Sequence, residues 1–193
     1  MAKPSHREKI LSEGLRVVHE RGFDGASVRD IVAAAGVPQG SFTNHFASKE
    51  AFCLEILNRY FADTRAMIDR TLRNDAIPPL QRLRAYVDSL HKFLHRNGLQ
   101  YGCLIGNFSA EATDHSETIR TRLVEIFDEI QQSLAYCLKA AVKSRDLPPT
   151  TKCDELAGFI AASHQGAILQ SKTERSPVPI DRFKRFVFST LLH

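Results

Sequence analysis

The sequence predicts an all-α protein: a small N-terminal three-helix domain followed by a larger helical domain, about nine helices in all. Three observations carry this expectation. Helix-start residues and helix-stopping Gly or Pro punctuate the chain from one end to the other. Between them, apolar residues recur three and four positions apart, the period of a helix that buries one face. No segment alternates polar and apolar residues as a half-buried strand would, and no repeat or low-complexity tract intervenes.

The elements follow in order. Ser5 with Glu8 forms a capping-box pattern, and Ile10, Leu11, Leu15 and Val18 share one face until Arg21 and Gly22 stop the first helix. Ser27 with Asp30 opens a short second helix that ends at Ala35 and Gly36, and Pro38 suits the first turn of a third. Ser48 caps a fourth, whose period runs through Phe52, Ile56, Tyr60, Phe61, Met67, Ile68 and Leu72 for about seven turns. The stretch from Asn74 to Pro79 breaks it. Pro79 starts a helix that Asn97 and Gly98 end, and a short helix covers Cys103 to Thr113. A long one runs from Ser116 to about Ser144, with Ile119, Leu123, Ile126, Phe127, Ile130, Leu134, Leu138 and Ala141 inward, and Leu147, Pro148 and Pro149 close it. Thr151 with Asp154 forms another cap pattern for a helix lasting to about Thr173, in which the small residues Gly158, Ala161, Ala162, Gly166 and Ala167 allow close helix approach. After Pro177 and Pro179, Ile180 to Leu192 forms the last helix, with Phe183, Phe186, Val187 and Leu191 on one face. The first domain is expected in residues 1–50, linked through a helix over 48–74, with 51–193 as the second domain.

Composition narrows the class. With 43% hydrophobic and 25% charged residues, the chain is not globally disordered. At 193 residues it can bury roughly 70% of its unfolded surface without covalent staples. No window approaches the ~18 apolar residues of a membrane span, and Met1 to Glu8 has no apolar signal-peptide core, so a cytoplasmic, non-membrane protein is expected. Twenty-six Lys and Arg against 22 Asp and Glu leave a net charge of +4, which permits a polyanionic partner without demanding one. Cys53, Cys103, Cys137 and Cys153 are widely spaced and form no metal or redox pair; no cofactor motif occurs, and none is expected.

The segment from Ser27 to Phe46 carries the most specific chemistry. Two short helices joined by a Gly-containing turn place Ala33 and Ala34 where helices cross and Gly36 where the turn needs positive φ. Val37 and Phe42 supply apolar anchors. The second of these helices exposes Gln39, Gly40, Ser41, Thr43, Asn44 and His45, short polar side chains suited to base edges and phosphates. Spacing alone fits a helix-turn-helix and an ordinary helical hairpin with a polar outer face equally well.

The first 60 residues resemble the DNA-binding domain of the TetR family of transcriptional repressors. The resemblance rests on the Ala-rich helix leading to Gly36-Val37, then Gly40-Ser41-Phe42, His45-Phe46 and Ser48-Lys49-Glu50, followed by Phe52 and Leu54. It implies a homodimer that binds a palindromic operator in double-stranded DNA, with a larger C-terminal domain that takes an inducer and dimerises. Residue by residue, it makes Ser27 and Val28 a helix N-terminus offered to phosphate, and gives Lys49 the same role at the fourth helix. Gln39, Gly40, Ser41 and Asn44 become base or groove contacts. His45 borders the groove, where it contacts phosphate or packs. Thr43 departs from the family's usual Tyr, losing reach and apolar surface.

Around residues 102–114 and 165–176 the sequence resembles the NemR/AcuR branch of that family, whose members respond to electrophiles or to acrylate. The match implies that Cys103 and Lys172 correspond to a Cys and a Lys involved in sensing reactive chlorine and electrophiles. A nearby ammonium favours the thiolate, which is the nucleophile; the competing reading is a Cys that fills a small apolar gap. Asn107, His164, Gln165 and Ser109 are polar residues on apolar faces, suited either to an inducer pocket or to a satisfied core. A repressor released by a small inducer or by oxidation or alkylation of Cys103 is therefore expected. Two other classes remain: an all-α enzyme with Cys103 as nucleophile, for which no His/Asp partner stands at recognisable spacing, and a dimeric helical adaptor that does not bind DNA.

Overall fold

The computed structural model describes residues 5–192, which form nine α-helices and no strand. They are α1 (His6–Gly25), α2 (Val28–Ala35), α3 (Gly40–Thr43), α4 (Lys49–Arg70), α5 (Pro79–Asn97), α6 (Leu104–Glu111), α7 (Glu117–Lys143), α8 (Cys153–Glu174) and α9 (Val178–Phe186). A 3-10 turn, Leu99–Tyr101, precedes α6, and a π turn, Val187–Leu191, extends α9. The first four residues, part of the N-terminal stretch read above for a signal peptide, lie outside the described residues. No helix among those described is long and apolar enough to cross a membrane.

The chain divides into two compact units that are not simple halves. One contains the residues up to Ala62 together with Leu104–Leu123; the other contains Asp63–Cys103 and the chain from Val124 onward.

In the first unit the predicted caps form. The Ser5 side chain accepts from Glu8 N–H at 3.2 Å. At α2, Ser27 Oγ accepts from Asp30 N–H and the Asp30 carboxylate accepts from Ser27 N–H, both at 3.1 Å. Gly36 closes α2 in the left-handed region at φ 61°, where an L side chain would be strained. The first helix differs from expectation: Gly22 leaves helical geometry (φ 79°, ψ 178°), but helical turns resume and carry α1 to Gly25. The crossing of α2 buries Ala35, while Ala33 is exposed and Ala34 half-buried.

The core of this unit is aromatic. Phe42, Phe46 and Phe52 form a triangle with ring centroids 5.0–5.3 Å apart, joined by buried Ile10, Leu11, Val17, Val18, Ile31 and Val32. α1 approaches this cluster through Gly14, where a Cβ would overlap the Phe52 ring and come 3.0 Å from Ile31 Cγ2. Ion pairs Arg7–Glu55 and Arg59–Glu8 tie the other flank of α1 to α4.

In the second unit the connection between α4 and α5 is locked by polar groups. The nearly buried Arg82 guanidinium donates to Ile77 C=O and to Asp75, and Tyr136 of α7 donates its hydroxyl to the same carboxylate at 2.8 Å. Arg65 of α4 makes a two-pronged pair with Glu129 of α7 at 2.7 and 2.8 Å. Two expected boundaries change. Thr151 does not cap α8, because its hydroxyl donates back to Pro148 C=O at 2.7 Å and Lys152 takes the cap position. The last helix starts at Val178, two residues early, since Pro179 is tolerated in a first turn that needs no N–H from it. Among the small residues of α8, Gly158 sits against Gln131 and Ala167 is buried, whereas Ala162 and Gly166 face outward.

Gly14→Ala should lower the melting temperature by at least about 2 °C in a circular-dichroism melt. Overpacking costs about 1–3 kcal/mol, more than the ~1 kcal/mol that Ala gains over Gly inside a helix; a higher melting temperature would show that Phe52 yields freely.

Candidate nucleic-acid interface and effector site

The surface around α3 is built by its neighbours. α3 is barely one turn long, although Gln39 and Asn44 extend its helical backbone at either end. Phe42 and Phe46 anchor it from below, leaving Gln39, Gly40, Thr43, Asn44 and His45 exposed on one face. No side chain crowds Gly40, so another backbone can approach there. Thr43 Oγ1 donates to Gly40 C=O at 3.1 Å, which leaves its methyl and both oxygen lone pairs for an outside group. Ser41 turns the other way. It is buried, with Oγ 3.4 Å from His6 Nδ1, so the exposed set expected from sequence loses this member to the α1–α3 contact.

The helix termini beside this face are partly engaged. Ser27 and Asp30 satisfy each other in the capping box, and Asp30 also pairs with Arg21 at 2.8 Å. What α2 offers outward is its first-turn amides at Val28 and Arg29. Arg29 was not singled out by sequence reading. It is exposed in the first turn, where the helix dipole disfavours a cation, and that mismatch is the signal that could have marked it for an anionic partner. Ser48 Oγ accepts from Ala51 N–H at 3.0 Å to start α4, and the Lys49 ammonium lies 5.0 Å from the centre of the Phe23 ring.

α6 and the start of α7 complete this unit. Gly22 breaks α1 and exposes the Phe23 N–H, which donates to the Glu111 carboxylate at 2.6 Å. A Cβ at Gly22 would overlap that carboxylate, so the position requires Gly for both its φ and its space. Phe23 packs edge-on against Phe108 of α6, centroids 5.9 Å apart. Ser116 caps α7 and donates its hydroxyl to Glu50, and Arg122 donates to Asn58 at 2.6 Å. Glu111 escaped sequence reading because 88 positions separate it from Phe23, its hydrogen-bond partner.

The proposed sensing residues fall into both units. Cys103 ends the first stretch of the second unit, and Gln165 Nε2 of α8 lies 3.7 Å from its sulfur, so the structure brings these two expected residues together. Buried Tyr86 is a further neighbour, its phenol pushed up mainly by burial and further by Cys103. Lys172 is half-buried on the same face of α8 as Gln165, two turns or about 10.5 Å along the axis. Asn107 and Ser109 lie on α6 in the first unit, with Ser109 donating to Ile105 C=O at 2.9 Å. Cys103 is half-buried, whereas the other three cysteines are buried. Burial pushes the Cys53 thiol up to about 12 and the Cys137 thiol up to about 11.

His164 has a partner that sequence reading missed. It stacks near-parallel to His91 of α5, centroids 5.8 Å apart, with Phe183 of α9 tilted against it at 5.1 Å. Burial holds both imidazoles well below their ordinary value of 6.5. His91 is at about 4, with Lys184 pushing it down further while Asp181 and Asp88 pull back; His164 is at about 3, with His91 adding repulsion.

Residues 10–56 match the family description "Bacterial regulatory proteins, tetR family", and residues 79–187 match "Tetracyclin repressor-like, C-terminal domain". The HTH-type transcriptional repressor DhaR of Mycobacterium sp. strain GP1 is 41% identical over 100% of this chain and 95% of its own length. A solved regulatory protein TetR from Rhodobacter sphaeroides is similar over 93% of this chain and 95% of that one, with TM-score 0.87 and 28% identity. The reduced form of E. coli NemR is similar over 94% and 95%, with TM-score 0.77 and 27% identity.

The histidine pair sets an acid dependence. In the unfolded chain both rings take up protons below pH ~6.5, while the folded chain keeps them neutral down to about 4 and 3, so stability is full above that range and falls as pH is lowered through it. Melting at pH 5 should therefore occur below that at pH 7. Changing both His91 and His164 to Phe should shrink this gap, and an unchanged gap would place the acid sensitivity elsewhere.

Proposed function

We propose that this chain, which belongs to the TetR family of bacterial regulatory proteins, is a homodimeric repressor that reads a palindromic operator and releases it when its second unit meets an inducer or when Cys103 is modified. TetR-family regulators bind operator DNA and act as dimers, and the relatives are transcription regulators, which sets aside an enzyme built on Cys103. The observation that carries the reading is the exposed row Gln39, Gly40, Thr43, Asn44 and His45, presented on a short helix that the Phe42–Phe46–Phe52 cluster holds in place. Gln39 and Asn44 have the amides that pair with base edges in a major groove, and Thr43 has a methyl suited to thymine. His45, Lys49, Arg29 and the α2 amides at Val28 serve the phosphates on either side.

The α8–α9 surface supports assembly into a dimer. Phe159 and Leu169 of α8 and Val178 and Phe186 of α9 are each half or more exposed. A groove of about 400 Å3 runs along them, lined by Phe159, Gly166, Ala167, Pro179, Phe183 and Phe186 among others. A second copy laid on this face covers the rings and uses outward-facing Ala162 and Gly166 for close approach. Two reading helices must then meet successive major grooves about 34–36 Å apart, so a modest shift in either copy abolishes simultaneous docking. Only a difference in affinity between the two arrangements is required.

Cys103 supports the switch by position and by exposure. It is the more accessible thiol, and it immediately precedes α6, whose Phe108 and Glu111 hold Phe23. Adding a group to its sulfur strains packed neighbours on the segment that leads into that grip.

On a duplex from its own promoter region, Gln39→Ala or Asn44→Ala should weaken specific binding by about tenfold or more while changing random-duplex binding little, since each bidentate base contact is worth ≈ 1–3 kcal/mol. Lys49→Ala should weaken both alike. A fluorescence-anisotropy titration that finds equal losses on both duplexes for all three would remove the base-reading assignment.

N-ethylmaleimide should label Cys103 first, its thiolate sulfur adding to the alkene carbon while the adjacent carbon takes a proton from water. Labelled protein should lose operator affinity, and Cys103→Ser should bind DNA yet ignore the reagent. Mass spectrometry that finds Cys53 or Cys137 labelled ahead of Cys103 would return Cys103 to a packing role.

A further inference from the structure

His91 and His164 are each at least nine-tenths buried, and the Nε2 atom of each lies inside the protein with no protein hydrogen-bond partner. We propose that this imidazole pair is a binding site for an uncharged small molecule that can both donate and accept a hydrogen bond, such as a primary amide or an alcohol, and that it rejects the carboxylate of the same shape. The inference rests on the inducer reading above only for its consequence at DNA; binding at the pair is a separate matter.

The surroundings define the ligand. The rings come from α5 and α8, and Phe183 of α9 covers His164, so the walls are aromatic and helical backbone polar groups are already used. The ionisable groups facing His91 are Asp88 and His95 on its own helix and Asp181 and Lys184 on α9; His164 is the one facing it from α8. Lys184 is bonded to Asp88, so that cation is already answered. A neutral imidazole carries one N–H and one lone pair. With opposite tautomers at the two Nε2 atoms, the pair presents a donor beside an acceptor, and one amide or hydroxyl satisfies both. A carboxylate only accepts. It would need both Nε2 atoms protonated and would bring in a charge that Lys184, bonded to Asp88, does not neutralise, unless a ring also took up a proton. Two buried nitrogens without partners are a standing cost that a pair kept only for packing would shed by becoming Phe or Leu. The groove between α5 and α9, about 330 Å3 and lined by Arg84, Asp181, Lys184, Arg185, Phe188 and Ser189, shares Lys184 with the ion pair at Asp88.

The test uses full-length protein with 15N-labelled histidine side chains, titrated with propionamide and, separately, with propionate. His91 and His164 are recognised as ring signals that stay neutral down to about pH 5. Propionamide should shift those two signals, with the same affinity at pH 6.5 and 7.5. Propionate should bind at least tenfold more weakly at pH 7.5 and gain about tenfold per unit as pH falls, because it must carry a proton in. His164→Phe should abolish the shift and raise the melting temperature by about 3 °C, since an unpaired polar atom is removed beside Phe183. Shifts confined to other histidines, equal binding of the two probes, or binding that survives in His164→Phe would each overturn the proposal. The wild-type titration stands even if that variant fails to fold. If propionamide engages the pair without releasing operator, the site stands and its role as inducer site falls.

Discussion

The ring of Phe52, lying where a side chain at position 14 would stand, governs the N-terminal unit. That close approach lets α1 settle onto the Phe42–Phe46–Phe52 cluster, and the cluster in turn holds α3. A helix of about one turn has no stability of its own in water, because nucleation costs more than a few hydrogen bonds return. The polar row on α3 therefore owes its geometry to aromatic packing beneath it. Burial of Ser41 against His6 belongs to the same arrangement: one face of the turn is given to α1 so that the other can be presented rigidly.

Local chemistry was legible in the sequence, and distant pairing was not. The capping box at Ser27 and Asp30, the left-handed Gly36, the break from Asn74 to Pro79 and the start at Pro79 are each encoded within a few residues, and each forms. Thr151 and Asp154 make an equally good local pattern, yet Thr151 bonds Pro148 instead, since the paired prolines before it bend the chain into reach of its hydroxyl. Gly14 reads as an unremarkable helix-weakening residue until Phe52 is placed beside it, and Gly22 reads as a stop until Glu111 arrives from far along the chain. His164 was singled out as a polar residue on an apolar face, but nothing near it in sequence reveals His91. The resemblance to a known family supplied what periodicity could not, namely which of two helical hairpins Ser27 to Phe46 forms.

The second unit treats its polar groups in two ways. Around Asp75, three elements are drawn together by an arginine and a tyrosine on one carboxylate, so the α4–α5 connection is fully satisfied by protein. Around His91 and His164, hydrogen-bonding capacity is buried and left unused by protein. Rigid connection and unspent capacity within one small unit are what a ligand-responsive protein needs: a frame that stays in place and a spot whose energy an incoming molecule can change. Gln165 and Tyr86 lie near the Cys103 sulfur in the same unit.

The first unit also has a consequence for how the protein is made. Its residues come from two separate stretches, the second beginning at Leu104 and ending at Leu123. A ribosome releases the chain from the N-terminus, so the exposed row on α3 emerges long before Phe108, Glu111 and Ser116, the partners of Phe23 and Glu50, have been synthesised. A nascent chain, or one cut short before α6, carries Phe23 and Glu50 without their partners. The unit that carries the exposed row is thus completed only by the segment that follows Cys103.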